Sequence, residues 1–214
     1  MKVVVYTAVF GGDVDRLRPA PWRNPDVEYR CYTDDPTLSV SGWEMRHVVA
    51  TESSAMQARR IKILSHLTES KADATLWIDS AYQLLKDPYA WIAYGLLQQP
   101  VRALRHPHRQ TAVEEGLELV RLGLAADRDV QEQLTMMAGE WRQEVLTSTG
   151  LLVRRNMELV KTFNRTWWSF VVSGGHPRDQ MTVDYAAWCT GVPITYLEGQ
   201  YRDNPYAHWQ GHRR

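Results

Sequence analysis

The chain has 214 residues, room for one large domain with a core that needs no disulfide or structural metal. Its 25 Lys plus Arg balance 25 Asp plus Glu, which excludes wholesale electrostatic attraction to nucleic acid or an anionic membrane; 44% apolar and 23% charged residues exclude a disordered chain. The two isolated cysteines, Cys31 and Cys189, exclude a disulfide scaffold and a Cys-based zinc site, and point to reduced thiols in a cytoplasmic protein.

The amino-terminal run MKVVVYTAVFGG has one Lys and no small-residue cleavage site, and no long apolar stretch follows, so neither a signal peptide nor a membrane span is expected. Val3 to Val9 reads as a buried strand ending in a tight Gly11-Gly12 loop. Three prolines, Pro19, Pro21 and Pro25, mark an irregular stretch. Strands follow over Glu28 to Thr33 and Trp43 to Val49. Ser53-Ser54 offers an N-cap to a helix from Ala55 to Leu67. Asp73 to Ile78 is a strand that delivers Asp79 at its end, and Val101 to Leu104 is another. Ala112 to Leu124 and Asp129 to Trp141 read as amphipathic helices. Leu146 to Val153 returns to strand, and Met157 to Val172 is helical up to the Gly174-Gly175-His176-Pro177 break. Thr182 to Cys189 is a short helix, Val192 to Leu197 a last strand, and Tyr201 onward a polar tail.

Alternating strands and helices predict an α/β layer fold with a largely parallel sheet, helices on both faces and one domain over 1–214. Ligands of such sheets bind outside the carboxyl ends of the strands, which directs attention to the loops after Val9, Thr33 and Ile78. No G-x-G-x-x-G follows the first strand and no G-x-x-x-x-G-K-[ST] occurs, which argues against a dinucleotide dehydrogenase and a P-loop NTPase. Nine Trp and ten Tyr against three Phe suit a half-wet cleft that stacks on sugars or bases, with a Trp-rich core as the equal alternative.

Five groups stand out. Asp79 ends a buried strand, where a carboxylate costs desolvation unless it binds a metal–diphosphate or caps a loop. Arg59 and Lys62, three apart on one helical face, can meet one diphosphate or simply form a solvated basic face. His106-Pro107-His108-Arg109 with Glu114-Glu115 fits a cleft-lining loop better than a zinc site. Arg178-Asp179-Gln180 opens a helix, where Asp179 serves as a cap or as an active-site carboxylate. In the tail, His208 and Arg214 flank Gly211 as an imidazole and a cation; a basic terminus without a site is the alternative.

The ordered set resembles the glycosyltransferase-like domain family of the plant mucilage-type enzymes. It runs from Tyr6-Thr7-Ala8-Val9-Phe10-Gly11-Gly12 and Asp15 through Cys31-Tyr32-Thr33-Asp34-Asp35, Arg59-x-x-Lys62 with His66, and Trp77-Ile78-Asp79-Ser80. It continues with His106-x-x-Arg109 and Glu114-Glu115, then Trp167-Trp168, and ends at Arg178-Asp179-Gln180 and Tyr185. The resemblance implies a GT-A-like, Rossmann-type sheet that binds a nucleotide-sugar, with 1–100 mainly on the donor side and 101–214 mainly on the acceptor side. It implies that Tyr6, Thr7 and Ala8 line the nucleoside pocket, that Asp34 bonds base or ribose, and that Arg59 and Lys62 reach the diphosphate. Asp79 would stand where such folds carry an Asp-x-Asp metal motif for Mn²⁺ or Mg²⁺. The tail is similar to the His-x-x-Gly-x-x-Lys ending of the glycogenin-type family, with His208 as a metal ligand and Arg214 at the Lys position. Asp79-Ser80-Ala81 departs by lacking the second Asp. The chain, short and without the anchor of plant relatives, looks like a stripped, soluble, bacterial or viral version.

The reading that follows is transfer of a sugar from a nucleotide-sugar, UDP-linked by expectation, to a hydroxyl. The acceptor is a glycan or a hydroxylated base in DNA. The Arg102, Arg105, His106, His108, Arg109 cluster is the feature that admits DNA. Charge on the leaving diphosphate is what the protein must stabilise. Asp179 is the expected base of an inverting enzyme, and Asp179 or Gln180 the group under the sugar of a retaining one. His106, Arg109 and Arg178 complete the substrate side. The alternatives are a non-catalytic carbohydrate- or nucleotide-binding module, with Trp141, Trp167 and Trp168 as stacking platforms, although a core role is the favoured reading of the Trp167-Trp168 pair, and then a nucleotidyltransferase.

Overall fold

Val3–Val9 (β1, VVVYTAV) is buried along its whole length, as befits a β-branched strand covered on both faces. It pairs in parallel with Val27–Thr33 (β2) and with Ala74–Ile78 (β4), and β2 pairs in parallel with Glu44–His47 (β3) at the exposed edge. Val101–Arg105 (β6), Thr147–Arg155 (β7) and Ile194–Gln200 (β8) extend the sheet. The computed structural model describes residues 1–12, 17–174 and 178–211.

The seven strands follow the order β3-β2-β1-β4-β7-β6-β8. Six run in one direction. β7 alone is antiparallel to both neighbours, and β8 is parallel to β6. The predicted single-domain α/β sheet of GT-A-like type is therefore present.

One face of the sheet carries Ser54–Ile63 (α1), Glu158–Ser173 (α6) and Val183–Thr190 (α7), whose Ile61, Ile63, Phe163, Trp167 and Val183 pack onto Val4 and Tyr6. The expected helix over 55–67 is split at Leu64, with Ser65–Thr68 (α2) following. The other face carries Pro88–Gln98 (α3), whose Ile92 and Leu96 meet Val3, Val5 and Leu76. α3 begins where Asp87 accepts from the Tyr89 N–H, with Pro88 in the first turn, where its missing N–H costs nothing. Beside it lies an antiparallel ribbon of Tyr82–Leu84 (β5) and Ala207–Trp209 (β9). The residues after Tyr201 are thus not a polar tail: Ala207 is buried and the segment returns to the core as β9. Ala112–Arg121 (α4) and Asp127–Met136 (α5) pack through Leu119 and Val130 onto Met181.

Cys31 is buried in β2, where burial pushes its thiol up to about 12, and Cys189 is exposed in the last turn of α7. Among the described residues no helix is long and apolar enough to cross a membrane.

Candidate active site

The carboxyl ends of β1, β4, β6 and β8 meet the amino end of β7 at one edge of the sheet, and a cleft of about 390 Å³ opens there. This is the edge at which open α/β sheets bind ligands. The antiparallel run of β7 is what brings the start of that strand, Ser148-Thr149-Gly150, to the same place.

α1 supplies Arg59 and Lys62. Ser53 caps the helix by accepting from the Met56 N–H. The Lys62 side chain is buried, and its Nζ donates to Asp179 Oδ2 at 2.7 Å and to Thr149 Oγ1 at 2.8 Å. It lies 3.9 Å from Asp79 Oδ1 and 5.6 Å from the centre of the Trp77 ring. Thr149 Oγ1 in turn donates to Asp179 Oδ2 at 3.1 Å, and Arg59 Nε stands 3.7 Å from Asp179 Oδ1. Burial alone would raise the Asp179 carboxyl. Lys62 and Arg59 outweigh it and hold the group at about 2. Its main-chain carbonyl is fixed too, accepting from the buried Trp167 indole at 2.9 Å.

Asp79 follows β4 and is the more open of the two carboxylates. Its Oδ1 accepts from Trp77 Nε1 at 2.6 Å, and its N–H donates to the Gly150 carbonyl at 2.9 Å. Gly150 is where β7 passes closest. A Cβ there would stand 3.2 Å from Asp79 Oδ2 and 3.0 Å from the Tyr82 ring, so a side chain at this position would push both neighbours back by a few tenths of an ångström.

The opposite wall is organised by Glu115, which has no exposed surface. Its carboxylate takes Arg178 Nε at 3.0 Å and Nη2 at 2.9 Å, and also Arg109 Nε. The capping box of Thr111 and Glu114 sets the turn of α4 that carries it. His106 Nδ1 accepts from the Arg109 N–H at 2.9 Å, and burial, with Arg109 beside it, lowers its pKa to about 4. The imidazole is therefore neutral at pH 7. Gln180 is buried on the cleft wall with no partner for Nε2. Tyr201 and Arg202, just past β8, complete the lining, with Arg202 over the Trp209 ring at 4.3 Å.

Of the residues expected from sequence, Ala8, Arg59, Lys62, Asp79, His106, Arg109, Arg178, Asp179 and Gln180 share this cleft. Tyr6 and Thr7 are fully buried and do not reach it. The Tyr6 hydroxyl donates to the Lys62 carbonyl at 2.7 Å, so it braces the end of α1 from behind. Asp34 lies outside the lining and accepts from the Gly11 N–H at 3.2 Å, in a turn where Gly11 has φ 70°. His66 is packed against Asn164, away from the cleft. His208 does not join Asp79: it is exposed on β9, paired with Gln83. Arg214, like Asp15 and His176, lies outside the described residues. Trp167 is core, and Trp141 packs on Tyr185.

The basic cluster over 102–109 is not one surface. Arg102 Nη1 reaches the Trp91 carbonyl under α3, Arg105 stacks on Tyr196, and Arg109 pairs with Glu115. Sequence reasoning missed Thr149 and Gly150, and it missed Glu115 as the shared anchor of two arginines.

The donor set fits a divalent ion poorly. The position two after Asp79 is buried Ala81, Asp179 is held by Lys62, and His208 is elsewhere. Among the described residues no group of three His, Cys, Asp or Glu side chains converges on a metal position.

No curated protein matches the chain. The family model described as TOD1/MUCI70, glycosyltransferase-like domain, matches residues 1–191, which takes in both walls of the cleft except Tyr201 and Arg202. The chain belongs to the TOD1/MUCI70 glycosyltransferase-like domain family.

Proposed function

We propose that the protein transfers a sugar from a nucleoside-diphosphate sugar to a hydroxyl of a glycan acceptor. The observation that carries this is the cleft at the ligand edge of the sheet, where Arg59 and Lys62 of one wall face Arg109 and Arg178 of the other across a volume suited to one nucleotide-sugar. As the glycosidic bond to the donor breaks, negative charge builds on the departing diphosphate, and positioned cations stabilise it. Arg59 and Lys62 take that task. Gln180, buried with a free amide donor, suits a sugar hydroxyl. The Tyr201 ring on the cleft wall offers an apolar face to sugar C–H groups.

Asp179 orients rather than abstracts. A carboxylate held at about 2 by two cations is a weak proton acceptor at neutral pH. The acceptor enters past His106, Arg109 and Arg178, whose loop and 3-10 turn form the wall away from α1. The deciding experiment offers UDP-, GDP- and CDP-linked sugars with and without oligosaccharide and follows release of the nucleoside diphosphate. Release of one nucleotide, stimulated by an acceptor and lost in Arg59→Gln, supports the proposal. Tight binding without any release overturns it in favour of a non-catalytic nucleotide-sugar binding module.

A further inference from the structure

We infer that Lys62 is the resident cation of this site, and that the diphosphate is held and released without a divalent metal. The inference rests on the transferase reading and deepens it.

The first support is where the ammonium sits. Nζ is buried between the two cleft carboxylates, 2.7 Å from Asp179 Oδ2 and 3.9 Å from Asp79 Oδ1, with Thr149 Oγ1 at 2.8 Å. A metal on Asp79 would share that oxygen's surroundings with a fixed positive charge and with the Trp77 indole N–H, which already donates to Oδ1. The two cations repel strongly at such range in a partly desolvated cleft.

The second support is that Lys62 is held at both ends. Its carbonyl accepts from the Tyr6 hydroxyl and from the buried Arg154 guanidinium. Its ammonium is held by Thr149 and Asp179. A cation fixed in advance needs no reorganisation when charge appears on the leaving group.

The test is thermal denaturation of the full chain with UDP, GDP and CDP, each in Mn²⁺ and in EDTA. A ligand at a hundred times its dissociation constant stabilises by a readable several degrees. The expected result is that one nucleotide raises the midpoint equally in both buffers, and that Lys62→Met loses the rise in both. Arg59→Gln, a milder change, weakens binding about 10-fold in both. A rise that needs Mn²⁺ overturns the inference and leaves the transferase reading standing. A Lys62→Met protein that binds like the parent also overturns it. No rise with any nucleotide in either buffer overturns both.

Discussion

Two buried cations stand at the end of one helix and are neutralised in opposite ways. Lys62 points forward into the cleft and is held by a carboxylate, Asp179. Arg154, on β7, lies behind and is held by neutral groups: the Ile63 carbonyl at 2.9 Å, Asn164 Oδ1 at 2.8 Å, the Lys62 carbonyl and the Tyr6 oxygen. Those carbonyls end α1, where the helix dipole is negative, so Arg154 serves as a buried C-terminal cap. A cation paired with a carboxylate can exchange that partner for an incoming anion. A cation wrapped in neutral acceptors cannot, because the Ile63 carbonyl and the Asn164 amide oxygen would be left without a donor. The front pair belongs to chemistry, and the rear one to keeping the front one still.

The sharpest way to break the contrast is at the rear. Arg154→Met orphans the Ile63 carbonyl and the Asn164 amide oxygen and should cost about 4 kcal/mol, which lowers the thermal midpoint by about 10 °C. At the front, Lys62→Met leaves Asp179 without its nearest cation and should cost about 3 kcal/mol. Adding Asp179→Leu should recover most of that stability but none of the nucleotide binding. A double variant no more stable than the single one would refute this account of the pair. Glu115→Gln on the far wall should cost about 2 kcal/mol, less than a fully buried pair because Arg109 and Arg178 are partly exposed; denaturant titration would show it.

The smallest effect is a slope. Burial lowers both His66 and His106 to about 4, below the ordinary 6.5. Such groups favour the folded state fully above 6.5, and that contribution is lost as pH falls toward 4. Asp184 acts the other way: burial raises it to about 6, so its contribution is present below 3.8 and lost as pH rises through 6. His66→Gln should therefore flatten the fall of the thermal midpoint between pH 6.5 and 4 while leaving nucleotide binding unchanged, since His66 is off the cleft. An unchanged slope would show that His66 titrates normally in the fold.

Much of this was legible in the residues. The β-branched run of β1, the Ser53 cap, and Asp79 at the end of a wholly buried strand each follow from local pattern, and Arg59, Lys62 and Asp179 stand out by type and spacing. What was not legible depends on direction and distance. Nothing in Thr147 to Arg155 says that the strand runs against its neighbours, so the pattern does not place Thr149 and Gly150, at the start of β7, at the ligand edge. β5 and β9 are three residues each and pair across more than a hundred positions. α3 is apolar on nearly every side, with Ile92 buried and Tyr94 exposed, so it shows no stripe. Glu115 did leave a signal: it shares the buried stripe of α4 with Ala112, Gly116 and Leu119, where an acid needs a partner.

The unequal burial of the two cysteines has a practical consequence. A maleimide reacts with thiolate it can reach, and only Cys189 is exposed while Cys31 is enclosed and held protonated. A fluorophore can therefore be attached at one defined point of the native chain, on the helix that follows the Asp179 turn, and its emission can follow ligand entry in real time without engineering the protein.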